Sequence, residues 1–204
     1  MEVNTVQELH TALQEDKDIE LQSDIDCRYS LLEDYLPYYG NNMKWSQIKK
    51  YNGVLDGNGY ELQNFIRRKH NLVFKLNGTI KNVCINLSFT SQCHVGKLCE
   101  VNDGEIRNCT ITYKSNIKLE DICRRNNGLE RTGGVICHYN NSLIKECTIS
   151  NTEVSSWGCN GICESNYNKV GGICIVNDGT IQDCAVTECR FEGENHSSGI
   201  CDEN

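Results

Sequence analysis

Fourteen cysteines, five histidines and 28 acidic side chains in 204 residues supply material for thiol, metal and carboxylate chemistry. Their spacing decides among these. Aligned on its own internal repeats, the sequence places Cys99, Cys137, Cys174 and Cys201 just before an Asn-rich turn, and Cys109, Cys147 and Cys184 just after an isoleucine. An earlier repeat carries Phe74 and Val83 at the corresponding places. A position shared by Cys, Val and Phe is a small apolar interior site, because free cysteine is among the most buried residue types. Reduced thiols stacked in a core are therefore the first reading. Disulfides between neighbouring repeats are the second, since strands ~4.8 Å apart bring equivalent cysteines within bridging reach. Zinc requires paired ligands at short spacing. No Cys-x-x-Cys occurs, and Cys159/Cys163 and Cys184/Cys189 lack a matched second pair. A catalytic thiol must be singled out by its surroundings, and a column of equivalents singles out none. No metal or other cofactor is expected.

Carboxylates and histidines give no stronger signal. Glu100 and Asp202 share a repeat phase, but His138 and Ile175 occupy that phase between them. Carboxylate-assisted cleavage of a polysaccharide calls for several acids converging on one groove, and no such set of motifs is present. His10, His70, His94, His138 and His196 follow no common spacing, and no His-Glu-x-x-His occurs. The glycines punctuate turns of the repeat and form neither a P-loop nor a dinucleotide fingerprint. The sequence thus favours a non-catalytic role. A net charge of -8 argues against nucleic acid as a partner, which demands a basic face to replace counterions on phosphate. No apolar run approaches the roughly 18 residues of a membrane span, so no membrane insertion is expected. Met1-Glu2-Val3-Asn4 lacks the basic and apolar regions of a signal peptide, which points to the cytoplasm or to a mature or excised piece of a surface protein.

The elements that would position any site follow from the repeat. Asn77-Gly78-Thr79-Ile80, Asn102-Asp103-Gly104-Glu105-Ile106, Asn140-Asn141-Ser142-Leu143-Ile144 and Asn177-Asp178-Gly179-Thr180-Ile181 are four versions of one unit. A single unit cannot bury its own apolar face and must stack on its neighbours. Cys99, Cys137, Cys174 and Cys201 are spaced by 38, 37 and 27 residues, the first two intervals holding an added loop or partial coil. Coils of this size suit an all-β fold, a right-handed parallel β-helix, or β-solenoid, as one domain over residues 1–204. Within it, residues 1–18 would form an N-terminal cap. There Thr5-Val6-Gln7-Glu8 is a capping box, and Val6, Leu9 and Leu13 share a helical face. Residues 28–45 would form a Tyr-rich insertion, and 52–204 the repeat coils. Asn and Gly suit the turns because they accept left-handed backbone angles, and stacked Asn side chains can satisfy turn backbone from coil to coil.

Four segments stand in order along the first part of the chain: Glu8-Leu9, Leu21-Gln22-Ser23-Asp24-Ile25-Asp26, Trp45-Ser46-Gln47-Ile48 and Gly53-Val54-Leu55-Asp56-Gly57-Asn58-Gly59. Taken together they resemble the β-helical surface proteins that carry GLUG-type repeats, an adhesin-like group within the pectate-lyase-like β-solenoids. The later Gly-Gly-Ile and Asn-x-Gly-Thr-Ile-x-x-Cys units are similar to the repeats that follow in that family. The resemblance implies the β-helix fold and an adhesive surface role. It assigns no catalytic residue.

Function is then expected where the chain departs from its repeat. Tyr35, Tyr38, Tyr39 and Trp45 of the insertion, and Trp157 and Tyr167 of the loop after Val154, are the candidate binding residues, since aromatic rings anchor protein partners and stack on sugars. The expected function is a structural or interaction module presenting a rigid face to a protein or glycan. The rival readings are a polysaccharide-binding or polysaccharide-cleaving protein, and a subunit of a fibre or of a viral or cell-surface assembly that joins end to end through its C-terminal coil.

Overall fold

The computed structural model describes residues 1–27, 48–63, 71–87, 98–113, 133–134, 136–137, 139–150, 153–155, 169–171, 173–192, 196–198 and 200–203. Four consecutive repeats each contribute three strands in the same order. The first supplies Val73–Leu76, Thr79–Lys81 and Cys84–Leu87, and the second Cys99–Asn102, Glu105–Arg107 and Thr110–Tyr113. Tyr139–Asn140, Leu143–Lys145 and Thr148–Ser150 come from the third, and Cys174–Asn177, Thr180–Gln182 and Ala185–Thr187 from the fourth. Every strand pairs in parallel with its equivalent in the next repeat, which sorts them into three sheets. The first sheet runs from Lys50–Tyr51 to Cys201–Glu203 with six strands, the second from Glu2–Val3 to Thr180–Gln182 with seven, and the third from Ile25–Asp26 to Ala185–Thr187 with six. Two smaller parallel sheets join Gly133–Gly134, Lys169–Gly171 and His196–Ser198, and Glu153–Ser155 with Arg190–Glu192.

Register is set by one central apolar residue per strand. In the second sheet Leu55, Ile80, Ile106, Ile144 and Ile181 stack in line, and in the third Ile25, Leu62, Ile85, Ile111, Ile149 and Val186 do the same. A one-residue slip would turn each of these outward, so the alternation of intermediate, buried, intermediate along Thr79–Lys81 fixes the pairing. Each buried Ile or Leu stabilises the stack by about 1.5–3 kcal/mol relative to exposure.

A helix, Val6–Gln14, closes the first end. Thr5 Oγ1 accepts from the Glu8 backbone N–H, and the Glu8 carboxylate accepts from the Thr5 N–H, as the capping-box pattern predicts. Its inward face buries Leu9, Ala12 and Leu13 and also His10, which the apolar pattern alone does not include. Tyr51, fully buried in the edge strand of the first sheet, passes its hydroxyl to the Lys17 carbonyl at 2.8 Å and ties helix to sheet. Burial, with Asp18 and Asp16 nearby, raises that phenol above its ordinary value, so it stays a neutral donor.

Candidate functional site

At the inward side of the first sheet, a column that is apolar at Tyr51 and Leu76 becomes amide at Asn102, Asn140 and Asn177. Asn102 Nδ2 donates to Asn140 Oδ1 and Asn140 Nδ2 to Asn177 Oδ1, both at 2.7 Å, in a buried chain. The same amides reach the turns: Asn102 Nδ2 lies 3.3 Å from the Leu143 carbonyl, and Asn102 Oδ1 accepts from the Gly104 N–H at 3.2 Å. Buried amides without partners would each cost roughly 1–3 kcal/mol, so the ladder is paired with itself and with the turn it holds.

The cysteines form two columns, one at the start of the first sheet's strands and one between the strands of the second and third sheets. Cys99 pairs in register with Val73, not with Phe74, which corrects the alignment by one residue. The inward column is Val73, Cys99, Cys137 and Cys174, all fully buried, and the Cys201 backbone continues it opposite Cys174. Val83, Cys109, Cys147 and Cys184 form the second column, the first three buried and the last half-buried. Each thiol there donates to two carbonyls, one two residues earlier and one in the preceding repeat. Cys109 Sγ lies 3.3 Å from the Arg107 oxygen and 3.8 Å from that of Ile80, and Cys147 Sγ 3.2 Å from Lys145 and 3.8 Å from Ile106. The Cys147 N–H in turn donates to Cys184 Sγ at 3.4 Å.

The thiols of Cys147, Cys174 and Cys184 are held protonated. The hydrogen bond with Cys109, joined by burial, pushes Cys147 up to about 12, and contacts with Cys147 and Cys137 raise Cys184 and Cys174 as well. A thiolate is the nucleophile and the metal ligand, so the arrangement packs and donates and is poorly suited to react. Cys27, Cys84, Cys99, Cys109, Cys137, Cys147, Cys174, Cys184 and Cys189 carry no disulfide. Among the described residues no group of three or more His, Cys, Asp or Glu side chains is placed to hold a metal ion, and no helix is long and apolar enough to cross a membrane.

Outside, carboxylates serve the turns. Asp103 is held below its ordinary value by Lys75 and then by the Asn141 amide at 2.8 Å. Asp16 is lowered by the Asn52 side chain and backbone. For Asp56 burial acts to raise the pKa, but Lys81 at 2.8 Å and the Asn82 amide at 2.9 Å outweigh it. Glu100 accepts from Asn71 Nδ2 at 3.0 Å. Asp202 lies three strands away from Glu100 in the first sheet, roughly 14 Å at the usual strand spacing, so the two cannot share one bond-breaking event.

What the outward side of the first sheet does offer is exposed apolar surface. Phe74 is 43% and Tyr139 42% exposed, and Val101 stands in register between Lys75 and Tyr139. Glu100 follows Cys99 as Phe74 follows Val73, and so falls beside the ring. The sequence alignment misses this patch because it assigns Phe74 to the inward column. The two consecutive outward residues in Val73–Leu76 break a simple alternation, which was the one available signal. Tyr35, Tyr38, Tyr39, Trp45, Trp157 and Tyr167 lie outside the described residues. Comparison with protein-family models, with curated proteins and with solved structures finds no match to this chain.

Proposed function

We propose that the chain is a right-handed parallel β-helix, similar to GLUG-repeat proteins, that works as a non-catalytic interaction module and receives a protein partner on the outward face of its first sheet. The observation that carries the reading is the pair Phe74 and Tyr139, exposed on one face whose opposite side is a continuous buried ladder. Such a ladder cannot turn its side chains over to hide an aromatic ring, so exposure of both rings is built into the fold. Val101 between them and Lys75 and Glu100 beside them give an apolar centre with a charged rim, the usual anatomy of an interface. The β-helix reading is supported by the fixed order in which each repeat visits the three sheets, and its hand by the strong right-handed preference of parallel strand crossovers.

The test is cross-linking and affinity capture with the purified chain, compared with Phe74→Ala and Tyr139→Ala. An anchor ring that is removed weakens binding by about 2 kcal/mol or more, roughly 30-fold. A partner bound with unchanged affinity by the double variant overturns this face as the site. Capture of glycans alone, sensitive to the same two substitutions, would move the reading to carbohydrate binding.

A further inference from the structure

The two cysteine columns differ in what their backbone amides face. In the first column the amides are engaged by carbonyls: Cys99 N–H donates to Ile136, Cys137 N–H to Ile173 and Cys174 N–H to Ile200, at 3.2–3.4 Å. In the second column they turn to sulfur. Cys147 N–H donates to Cys184 Sγ at 3.4 Å, and Cys109 N–H is directed at Cys147 Sγ. The Cys147 and Cys184 thiols are also joined to each other by a side-chain hydrogen bond.

The protons of these two thiols can leave without orphaning the carbonyls nearest to them. Lys145 and Gln182, whose oxygens lie 3.2 Å from Cys147 Sγ and Cys184 Sγ, already accept backbone N–H bonds from Asn108 and Glu146, both at 2.9 Å. Spacing decides what can take the place of the protons. A disulfide asks for Cβ atoms about 3.5–4.5 Å apart, closer than the stacking distance of about 4.8 Å between equivalent positions of neighbouring repeats. Zinc asks for four ligands around a point, whereas a column offers sulfurs in a line. Two collinear metal–sulfur bonds of about 2.3 Å each span about 4.6 Å, which is close to the pitch of the stack. Thiols that keep their protons in water yield them only to a cation with high affinity for sulfur, and thiolate ligands select soft ions such as copper(I).

We infer that the second column holds a soft monovalent cation of the copper(I) class in linear coordination between Cys147 Sγ and Cys184 Sγ. Binding forms two metal–sulfur bonds and releases two thiol protons to solvent, leaving a bis-thiolate with one net negative charge. Both sulfurs that carry this charge face a backbone N–H, and hydrogen bonds to the charged form favour it. The first column has its amides turned to carbonyls instead and remains packing. The site lies on the inward side of the stack, apart from the face that carries Phe74 and Tyr139, and does not depend on a protein partner.

Anaerobic refolding of the reduced 204-residue chain with one equivalent of copper(I), followed by challenge with the copper(I) chelator bicinchoninate, tests this. The chain should retain the ion, and X-ray absorption at the copper edge should show two sulfur ligands and no nitrogen or oxygen. Cys147→Val and Cys184→Val should each lower retention by roughly tenfold or more. Cys137→Val should leave it unchanged. Valine suits both columns, as the buried Val83 and Val73 show, so all three variants should keep the far-ultraviolet circular dichroism of the unaltered chain. Copper(I) should also raise the melting midpoint of the unaltered chain and not that of Cys147→Val. Retention that survives Cys147→Val, or that falls equally in Cys137→Val, overturns the inference. So does an absorption spectrum with three or more ligands on the unaltered chain, a result that needs no variant.

Discussion

Ser142 is the exception in a column of glycines, and its effect is measurable in the backbone. Gly53, Gly78, Gly104 and Gly179 occupy the same turn, where an added Cβ at Gly104 would lie 2.1 Å from the Gly78 carbonyl oxygen and one at Gly179 2.1 Å from that of Ser142. These glycines are required by close approach of one repeat to the next, since none of them has a positive φ. At Ser142 the side chain is present, and the adjoining bond from Leu143 N–H to the Gly104 carbonyl is 3.3 Å. Its equivalents are shorter: 3.0 Å for Thr79 to Gly53, 2.9 Å for Glu105 to Gly78 and 2.7 Å for Thr180 to Ser142. Ser142→Gly should therefore relax the junction and raise stability by several tenths of a kcal/mol, less the backbone entropy that glycine adds. Gly104→Ala should cost about 1–3 kcal/mol through the forced shift. Chemical denaturation of both variants checks the pair, and equal small effects would remove the close-approach argument. At this scale the sequence is readable as a turn, but the reason for glycine is not. It depends on a carbonyl contributed by another repeat.

Elements are where the repeat reads most directly. The isoleucine of each unit becomes the central rung of a strand, and Thr5 with Glu8 marks the helix start, because both signals are local in sequence. Less legible are the pairs Gly133–Gly134 with Lys169–Gly171 and Glu153–Ser155 with Arg190–Glu192, which arise in the long intervals between units. The glycine pair carries no period-2 apolar pattern, and Val154 and Phe191 are single apolar residues in segments that lack the Asn-rich turn of the repeat, so pairing with a neighbouring strand is what defines these strands. The asparagine ladder sits between these cases. Its residues repeat visibly, yet the change from Leu76 to Asn102 within one buried column is set by pairing between repeats. Asn140 makes both ladder bonds and Asn177 accepts one of them, so their substitutions should differ. Asn140→Leu leaves the Asn102 donor and the Asn177 acceptor without their amide partners and should cost about 2–5 kcal/mol, whereas Asn177→Leu orphans only the Asn140 amide on this ladder and should cost about 1–3 kcal/mol. Thermal or urea melts decide it. A smaller loss for Asn140→Leu than for Asn177→Leu would show that the ladder is not the stabilising unit.

Across the whole molecule, adjacent repeats are also linked by carboxylates with lowered pKa, which makes stability depend on pH. Asp56 and Asp103 have an ordinary value of 3.8 and a lower one in the folded chain. A depressed carboxyl binds its proton more weakly when folded, so its contribution is complete above the unfolded value and is lost as pH falls through the folded one. The chain should hold its denaturation midpoint from neutrality down to about pH 5 and lose it progressively below about pH 4. Asp103→Asn should flatten part of that acid limb, and an unaltered limb would exclude Asp103 as a contributor. The same stack predicts where unfolding starts. In a repeat array each unit is stabilised by its neighbours, so a repeat with one uncovered side opens at lower free energy than those inside. Here the helix covers one end, and Ile181, Val186 and Ile200 are the incompletely buried rungs at the other. Amides of Thr180–Gln182 and Ala185–Thr187 should exchange faster than those of Thr79–Lys81 and Glu105–Arg107. The gradient should run from the last repeat inward. Uniform protection across the second sheet would mean that the repeats open as one cooperative unit, and the difference in burial between the two ends would then have no energetic consequence.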